Sequence, residues 1–509
     1  MKKNITKNKI KENEEKLYIN SGLSRIIDDE IVSFHMPGHK NGKLYEKLGY
    51  KEKMEKLYKT DTTEIPGTDN LHSPNDIIKE SLQKTEAIFD SGKTYYLING
   101  STCGIQTAIM STCNPEDKLI MSRDSHQSAI NGCILGDIKP IYIKADVDKK
   151  TNIQMGNSFK NIKKAIDENI DSKAILLTYP TYYGVTIDLE KVIKYAHEKN
   201  IIVIIDEAHG AHLGLSSKLP KTALSCGADI VIQSTHKTLP AFTQSSMMHI
   251  SKNAIENNIV NIDRIEKILK MTETSSPSYI LMQSLEIAVD IYERYGKELI
   301  EELYKNIINF KNELNHYKIN IKNKLKNENY KLEEIEFFNI YNKDDFTKIF
   351  ISSLEVGLTG YELEEILRKN YNIQVELSNY CGVLMISTIG NDTNDFKKMK
   401  NALISIYEES NLKGRKKLNA INYPNISPKI IFNPREAFYK EKINVKIEES
   451  IGKICGENIV PYPPGVCIIA TGEIIQKEII DYLKYCKKEG MEISGLKDSK
   501  FEYIQVIEN

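Results

Sequence analysis

The chain has 509 residues, 40% apolar and 27% charged, with 69 Lys and Arg against 70 Asp and Glu. That length and apolar share predict a soluble globular chain of two to four domains, and the near-zero net charge removes the basic excess by which a nucleic-acid partner usually shows itself. No run nears the ~18 apolar residues of a membrane helix, the N-terminal MKKNITKNKIKENEEKLYIN lacks the apolar core of a signal peptide, and eight scattered cysteines without a CxxC predict reduced thiols in a cytoplasmic protein.

Residues 1–70 predict an N-terminal segment, whose first forty or so residues read as a charged helix followed by an irregular stretch. From 71 to 310 a large domain follows, in which apolar runs alternate with amphipathic ones. KTYYLING precedes CGIQTAIMSTC, DKLIMSRD precedes SHQSAINGCIL, and KPIYI, KAILLTYP, DLEKVIKYAHEK, NIIVIIDEAH, ADIVIQSTHK and SSMMHI come after. Strand–helix alternation predicts an α/β fold with a mostly parallel sheet covered on both faces, and continuous runs such as IIVIID fit strands buried on both sides. A long helix is expected over about 280–330, where YILMQSLEIAVDIYERY keeps apolar residues at helical spacing. Residues 311–410 predict a smaller α/β domain, 411–430 a polar linker and 431–509 a C-terminal domain.

Ligands of open parallel sheets gather at the carboxyl ends of the strands. One strand is followed by Asn99-Gly100-Ser101-Thr102-Cys103-Gly104, which opens a helix and suits an anion such as phosphate. The bland alternative is a Ser or Thr N-cap. Other strands lead into Arg123-Asp124-Ser125-His126, Asp206-Glu207-Ala208-His209 and Ser234-Thr235-His236-Lys237. Lys237 is the only Lys or Arg between Lys221 and Lys252; few charged neighbours favour a lowered pKa and a nucleophilic amine. An anion cradle, an imidazole, a carboxylate and an isolated lysine are together what pyridoxal 5′-phosphate requires.

The segments VIIDEAHGAH and QSTHKTLPAFTQSSMMHI, with FHMPGHKNG (34–42), LINGSTCGIQ (97–106), SRDSHQSAI (122–130) and YPPGVCIIATGE (462–473), resemble the Orn/Lys/Arg decarboxylase family in the family's own order. The resemblance spans roughly residues 20–490 and implies the pyridoxal-phosphate-dependent fold type I of aspartate aminotransferase. The chain looks like the shorter, Gram-positive-type members, with no receiver-like N-terminal domain expected. Residue by residue, the family match implies that Lys237 carries the cofactor and that Asp206 pairs with its pyridinium nitrogen. Ala208 and His126 would lie on the two ring faces. Ser101 and Thr102 would hold the phosphate, with Ser234 and His236 at the same end. Thr274 would reach across a homodimer interface to the neighbouring cofactor, and Glu473 would be a substrate-side carboxylate. Lys237 or His236 would return a proton to Cα. ATGE stands where PGE is more usual, and His209 where some members carry Trp.

His35 and His39 do not suggest a metal pair, because Pro37-Gly38 interrupts the helix that would align them, and no metal is expected. The family places HMPGHK near the site entrance; GTDNLHSP (67–74) also matches, with an ordered surface loop as its plainer account. The expected reaction is decarboxylation of a basic amino acid, arginine to agmatine first, lysine or ornithine next. An aminotransferase or carbon–sulfur lyase of the same fold, and a regulatory homologue without catalysis, are the alternatives. The arginine with which an aminotransferase clamps the α-carboxylate has only a weak candidate in Arg368, which reads as a surface residue.

Overall fold

The structure is a computed structural model and describes residues 32–34, 38, 40, 43–54, 64, 68–151, 153–327, 337–420, 428–462 and 467–508. The charged N-terminal helix, His35, His39 and most of the YPPG turn therefore lie outside the described residues. A two-residue strand β1 (Val32–Ser33) opens the fold. The strands β2 (Lys93–Leu97), β3 (Lys118–Ser122) and β4 (Lys139–Ile143) come next, then a small antiparallel pair β5 (Asp146–Val147) and β6 (Gln154–Gly156). After these come β7 (Ala174–Thr178), β8 (Ile202–Asp206), β9 (Ile230–Gln233) and β10 (Ser246–Ile250).

Seven of these strands form one sheet in the order β2-β10-β9-β8-β7-β3-β4. All neighbours are parallel except β10, which runs antiparallel to both β2 and β9. β8 and β9 sit in the middle, and every residue in them is buried. Their Val- and Ile-rich sequence is what a strand covered on both faces requires. One face packs into a core with Leu177, Val203, Ile205 and Val231, the other into a second core with Leu176, Ile204 and Ile232.

The helix expected over 280–330 spans Tyr279–Asn327, and its Leu285, Ile291 and Leu303 join the core that holds Val203 and Ile205. Beyond it β11 (Asn339–Tyr341), β12 (Lys348–Ser352), β13 (Ile373–Gln374), β14 (Leu377–Asn379) and β15 (Gly382–Ile386) follow. Four of them form an antiparallel sheet ordered β11-β12-β15-β14, while β13 pairs in parallel with β1. Helices Gly360–Tyr371 and Thr393–Leu412 cover this smaller domain; each starts at a capping box that satisfies its first free N–H groups. The C-terminal domain pairs β16 (Lys442–Lys446) with β19 (Tyr503–Ile507) and β17 (Val460–Tyr462) with β18 (Glu492–Ser494), around Ile469, Ile479, Ile480 and Leu483. Among the described residues no helix is long and apolar enough to cross a membrane.

Candidate active site at the carboxyl ends of the strands

β9 ends at Gln233, and the chain turns at once into a single helical turn, Thr235–Thr238, that bears Lys237. The Lys237 amine is half-buried, and burial lowers its pKa, helped by repulsion from Lys348; Asp206 and Glu376 oppose the shift. Its Nζ lies 3.1 Å from His209 Nε2. His209 is buried, which drives its pKa well down, with the Lys237 charge adding to the effect. The imidazole is thus neutral, and Lys237 Nζ donates to Nε2.

Asp206 closes β8 and is 3% exposed. Burial pushes its carboxyl up, while Lys237, His126 and the Ala208 N–H pull it back. Ala208 N donates to Asp206 Oδ1 at 3.1 Å, which fixes the carboxylate on its own loop. A buried acid of this kind favours a cationic partner in the space before it.

At the end of β2 the helix Gly100–Thr112 begins, with Asn99 as its N-cap and no side-chain cap bond. Ser101 and Thr102 therefore fall in the first turn rather than at the cap, so the N-cap account of these hydroxyls does not hold. Gly100 takes φ +81°, a left-handed conformation that favours glycine. Ser234 Oγ donates to Ser101 Oγ at 2.7 Å, so the lysine turn and this loop meet through two hydroxyls. Hydroxyls and free N–H groups at a helix start suit a phosphate.

His126 caps the helix Gln127–Gly136: its Nδ1 accepts from Ser128 N at 3.2 Å and from Ser128 Oγ at 2.9 Å. Those bonds leave the proton on Nε2 of an exposed ring. His236 Nδ1 lies 3.0 Å from Ser245 O, and burial lowers its pKa to about 4. It is a neutral ring that donates from Nδ1 and keeps Nε2 as an acceptor.

Two further expected residues have partners elsewhere in the chain. Thr274 follows the helix Ile262–Thr272; its carbonyl accepts from His72 Nε2 at 2.8 Å, while the adjacent Glu273 accepts from Asn99 N at 3.0 Å. Glu473, expected on the substrate side, is instead paired within the chain. It is 1% exposed and forms a two-point ion pair with Arg123, with Nη2–Oε2 at 2.6 Å, and it also accepts from Ala470 N at 2.7 Å. Arg123 lies over the Tyr142 ring at 4.7 Å and donates to Cys467 O and Ile468 O. In this arrangement neither Glu473 oxygen is open to a substrate cation. The pair joins the C-terminal domain to the loop that carries His126.

Residues that sequence reasoning did not place at the site come mainly from the small domain. Lys348 is buried, pairs with Asp345 at 3.1 Å and reaches His209 O at 3.5 Å; His212 and Thr347 complete the cluster behind the Asp206–His212 loop. Tyr182 donates to Glu376, and its ring lies 4.3 Å from that of His209. Lys40 is also buried, which lowers its pKa to about 7. These partners come from distant strands, and the only sequence hint was polar residues interrupting apolar runs.

The chain matches the family model of the Orn/Lys/Arg decarboxylase major domain over residues 19–395 and that of the C-terminal domain over 416–499. It is 33% identical over 487 residues to an arginine decarboxylase of Bacillus anthracis, covering 94% of each chain. It is 32% identical over 492 residues to an arginine decarboxylase of Bacillus subtilis, covering 96% of this chain and 97% of that one. In structure it resembles the Francisella novicida lysine decarboxylase, with a TM-score of 0.73 at 21% identity, over 94% of this chain and 79% of the other. An L-threonine transaldolase from Pseudomonas fluorescens, solved in its internal aldimine state, matches with a TM-score of 0.54 at 12% identity, over 80% of this chain and 90% of the other. These structural likenesses show that the chain shares the fold of those two enzymes, a mostly parallel sheet in an α/β large domain. By the two family models and by its near-full-length relatives, the chain belongs to the Orn/Lys/Arg decarboxylase family of amino acid carboxy-lyases.

Proposed function

We propose that this chain decarboxylates arginine to agmatine with pyridoxal phosphate. The observation that carries the proposal is the meeting of Lys237, Asp206 and the Ser101–Ser234 hydroxyl pair at neighbouring strand ends. The Bacillus relatives named arginine decarboxylase supply the choice of amino acid. The residues present fit the cofactor. The helix start at Gly100 with Ser101, Thr102 and Ser234 would hold its phosphate, and Asp206 its ring nitrogen. Ala208 and His126 would flank the ring, and Lys237 would take the aldehyde.

When bound, pyridoxal phosphate supplies an electron sink for the pair released as the bond from Cα to the carboxylate breaks. Asp206 remains ionised only opposite a cation, because burial alone favours its neutral form. Lys237 Nζ, held beside His209 Nε2, would carry a proton as its ammonium form and deliver it to Cα. Neutral His236 accepts at Nε2 and offers a second route for that proton. Uptake of one proton at Cα and loss of one CO₂ balance to one amine per amino acid.

The domain division 1–70, 71–310, 311–410, 411–430 and 431–509, a homodimer completed through Thr274, and operation in the cytoplasm belong to the same proposal. The eight unpaired cysteines support a reducing location. A panel of amino acids with CO₂ detection tests it: arginine should release CO₂ fastest, and keto-acid formation without CO₂ would overturn it. Lys237→Ala should lose both turnover and the cofactor's lysine-bound absorbance; retention of both would remove Lys237 from its role.

A further inference from the structure

The HMPGHK motif has no task in the chemistry above, yet its described residues touch both domains. On the small-domain side β1 pairs with β13, Phe34 N donates to Gln374 O at 3.0 Å, and Ile386 N donates to Phe34 O at 3.0 Å. The Phe34 ring is fully buried edge-on against Phe396, 5.6 Å between centroids. Thr388 Oγ1 donates to Gly38 O at 2.8 Å, and Lys43 Nζ meets Asp395 at 2.5 Å.

On the large-domain side Gly38 N donates to His236 O at 2.7 Å, the carbonyl directly before Lys237. Tyr45 donates its hydroxyl to Pro240 O, and its ring packs against Phe242. Gly38 lies so close that a Cβ there would stand 2.4 Å from Leu239 O, where ordinary contact begins at 3.4 Å. The peptide of Gly38 thus spends its N–H on the lysine turn and its carbonyl on the small domain.

We propose that Gly38, with the described residues Val32–Phe34, Lys43 and Tyr45, forms a positioning strap that couples the small domain to the Lys237 turn, with Gly38 as the point of transmission. The inference rests on Lys237 being the cofactor lysine. Displacement of the small domain pulls on Thr388 and β13, and Gly38 passes that pull to the backbone before Lys237. Gly38 is a positioning residue: it acts through the carbonyl of His236.

The test uses the full-length holoenzyme with Gly38→Ala, Thr388→Val and Thr388→Ser. Gly38→Ala must open the contact by about 1 Å, a misplacement that lowers kcat about 100-fold while KM changes less. Thr388→Val removes one neutral hydrogen bond and should lower kcat about fivefold, and Thr388→Ser should restore it. Hydrogen exchange read peptide by peptide should quicken over 235–241 in Gly38→Ala and Thr388→Val, with and without cofactor. If exchange over 235–241 stays at the wild-type rate in both variants, the strap is refuted. Should Gly38→Ala not fold, the Thr388 pair decides alone. If wild-type protein releases no CO₂ from any amino acid, the functional proposal falls, while the exchange measurement still decides the coupling.

Discussion

Glu473→Gln separates two roles for one carboxylate. The resemblance assigns Glu473 to the substrate; the structure buries it against Arg123. Replacement by the amide leaves the Arg123 guanidinium, whose side chain is only 16% exposed, facing the carbonyls of Cys467 and Ile468 and a neutral partner. Removing one member of a buried pair costs about 3–5 kcal/mol, and the amide keeps an acceptor for Ala470 N, which places this case near about 3 kcal/mol. That is roughly a 150-fold rise in the opening equilibrium where the C-terminal domain meets the large one. Native-state hydrogen exchange over 467–473 and 122–130 should therefore quicken about a hundredfold. Arg123→Met with Glu473→Leu should recover most of the loss, because an apolar pair carries no stranded charge. A strongly raised KM for arginine with unchanged exchange in those two segments would refute this reasoning and return Glu473 to the substrate.

Three further outcomes follow from the buried groups. Asp206→Asn should lower kcat about a hundredfold or more, because a neutral amide cannot hold a cationic ring nitrogen; activity within a few-fold of wild type would remove Asp206 from that role. Glu207 is fully buried, and burial raises its pKa to about 8 against hydrogen bonds from Gln233 and Ala223 N. Its folded-state pKa is raised, so its contribution is fully present below about pH 4.5 and is lost as pH rises through about 8. Glu207→Gln should flatten the fall in urea midpoint across that window, and an unchanged slope would show that Glu207 is ionised throughout. Gly104→Ala would place a Cβ 2.5 Å from Leu97 Cδ1 and 3.1 Å from Ile232 Cγ2; overpacking of this kind costs about 1–3 kcal/mol, and a wild-type thermal midpoint would show that the helix can shift to admit it.

Much of the large domain was legible because each central strand is a continuous apolar run ending in a polar residue. Asp206 stood out because it closes such a run, and Lys237 because it follows one shortly after with no other Lys or Arg between Lys221 and Lys252. The antiparallel direction of β10 was not legible: SSMMHI reads only as one more buried strand, and its direction follows from the short connection from Leu239 to Ser245. Asn99 as the N-cap, in place of Ser101 or Thr102, was equally hidden, because Gly100 shifts the helix start by its positive φ. The Arg123–Glu473 pair joins residues 350 positions apart, and Lys348 meets His209 from another domain. Local pattern carries no information on either contact. A fully buried lysine looks, in one dimension, like any other lysine in this Lys-rich chain.

The place of β10 between β2 and β9 bears on the order of events during synthesis. Leu97 finds its partner in Ser246, and Lys93 in Ile250, so the edge strand waits for about 150 residues of chain before it can pair. Contacts between positions so far apart in the chain form slowly. A ribosome-bound intermediate can assemble β3, β4, β7, β8 and β9 first. The loop that starts at Asn99 then reaches Ser234 only after β10 has entered the sheet. The hydroxyl pair of Ser101 and Ser234 is accordingly expected to close late, after residue 250 has arrived rather than when Lys237 emerges.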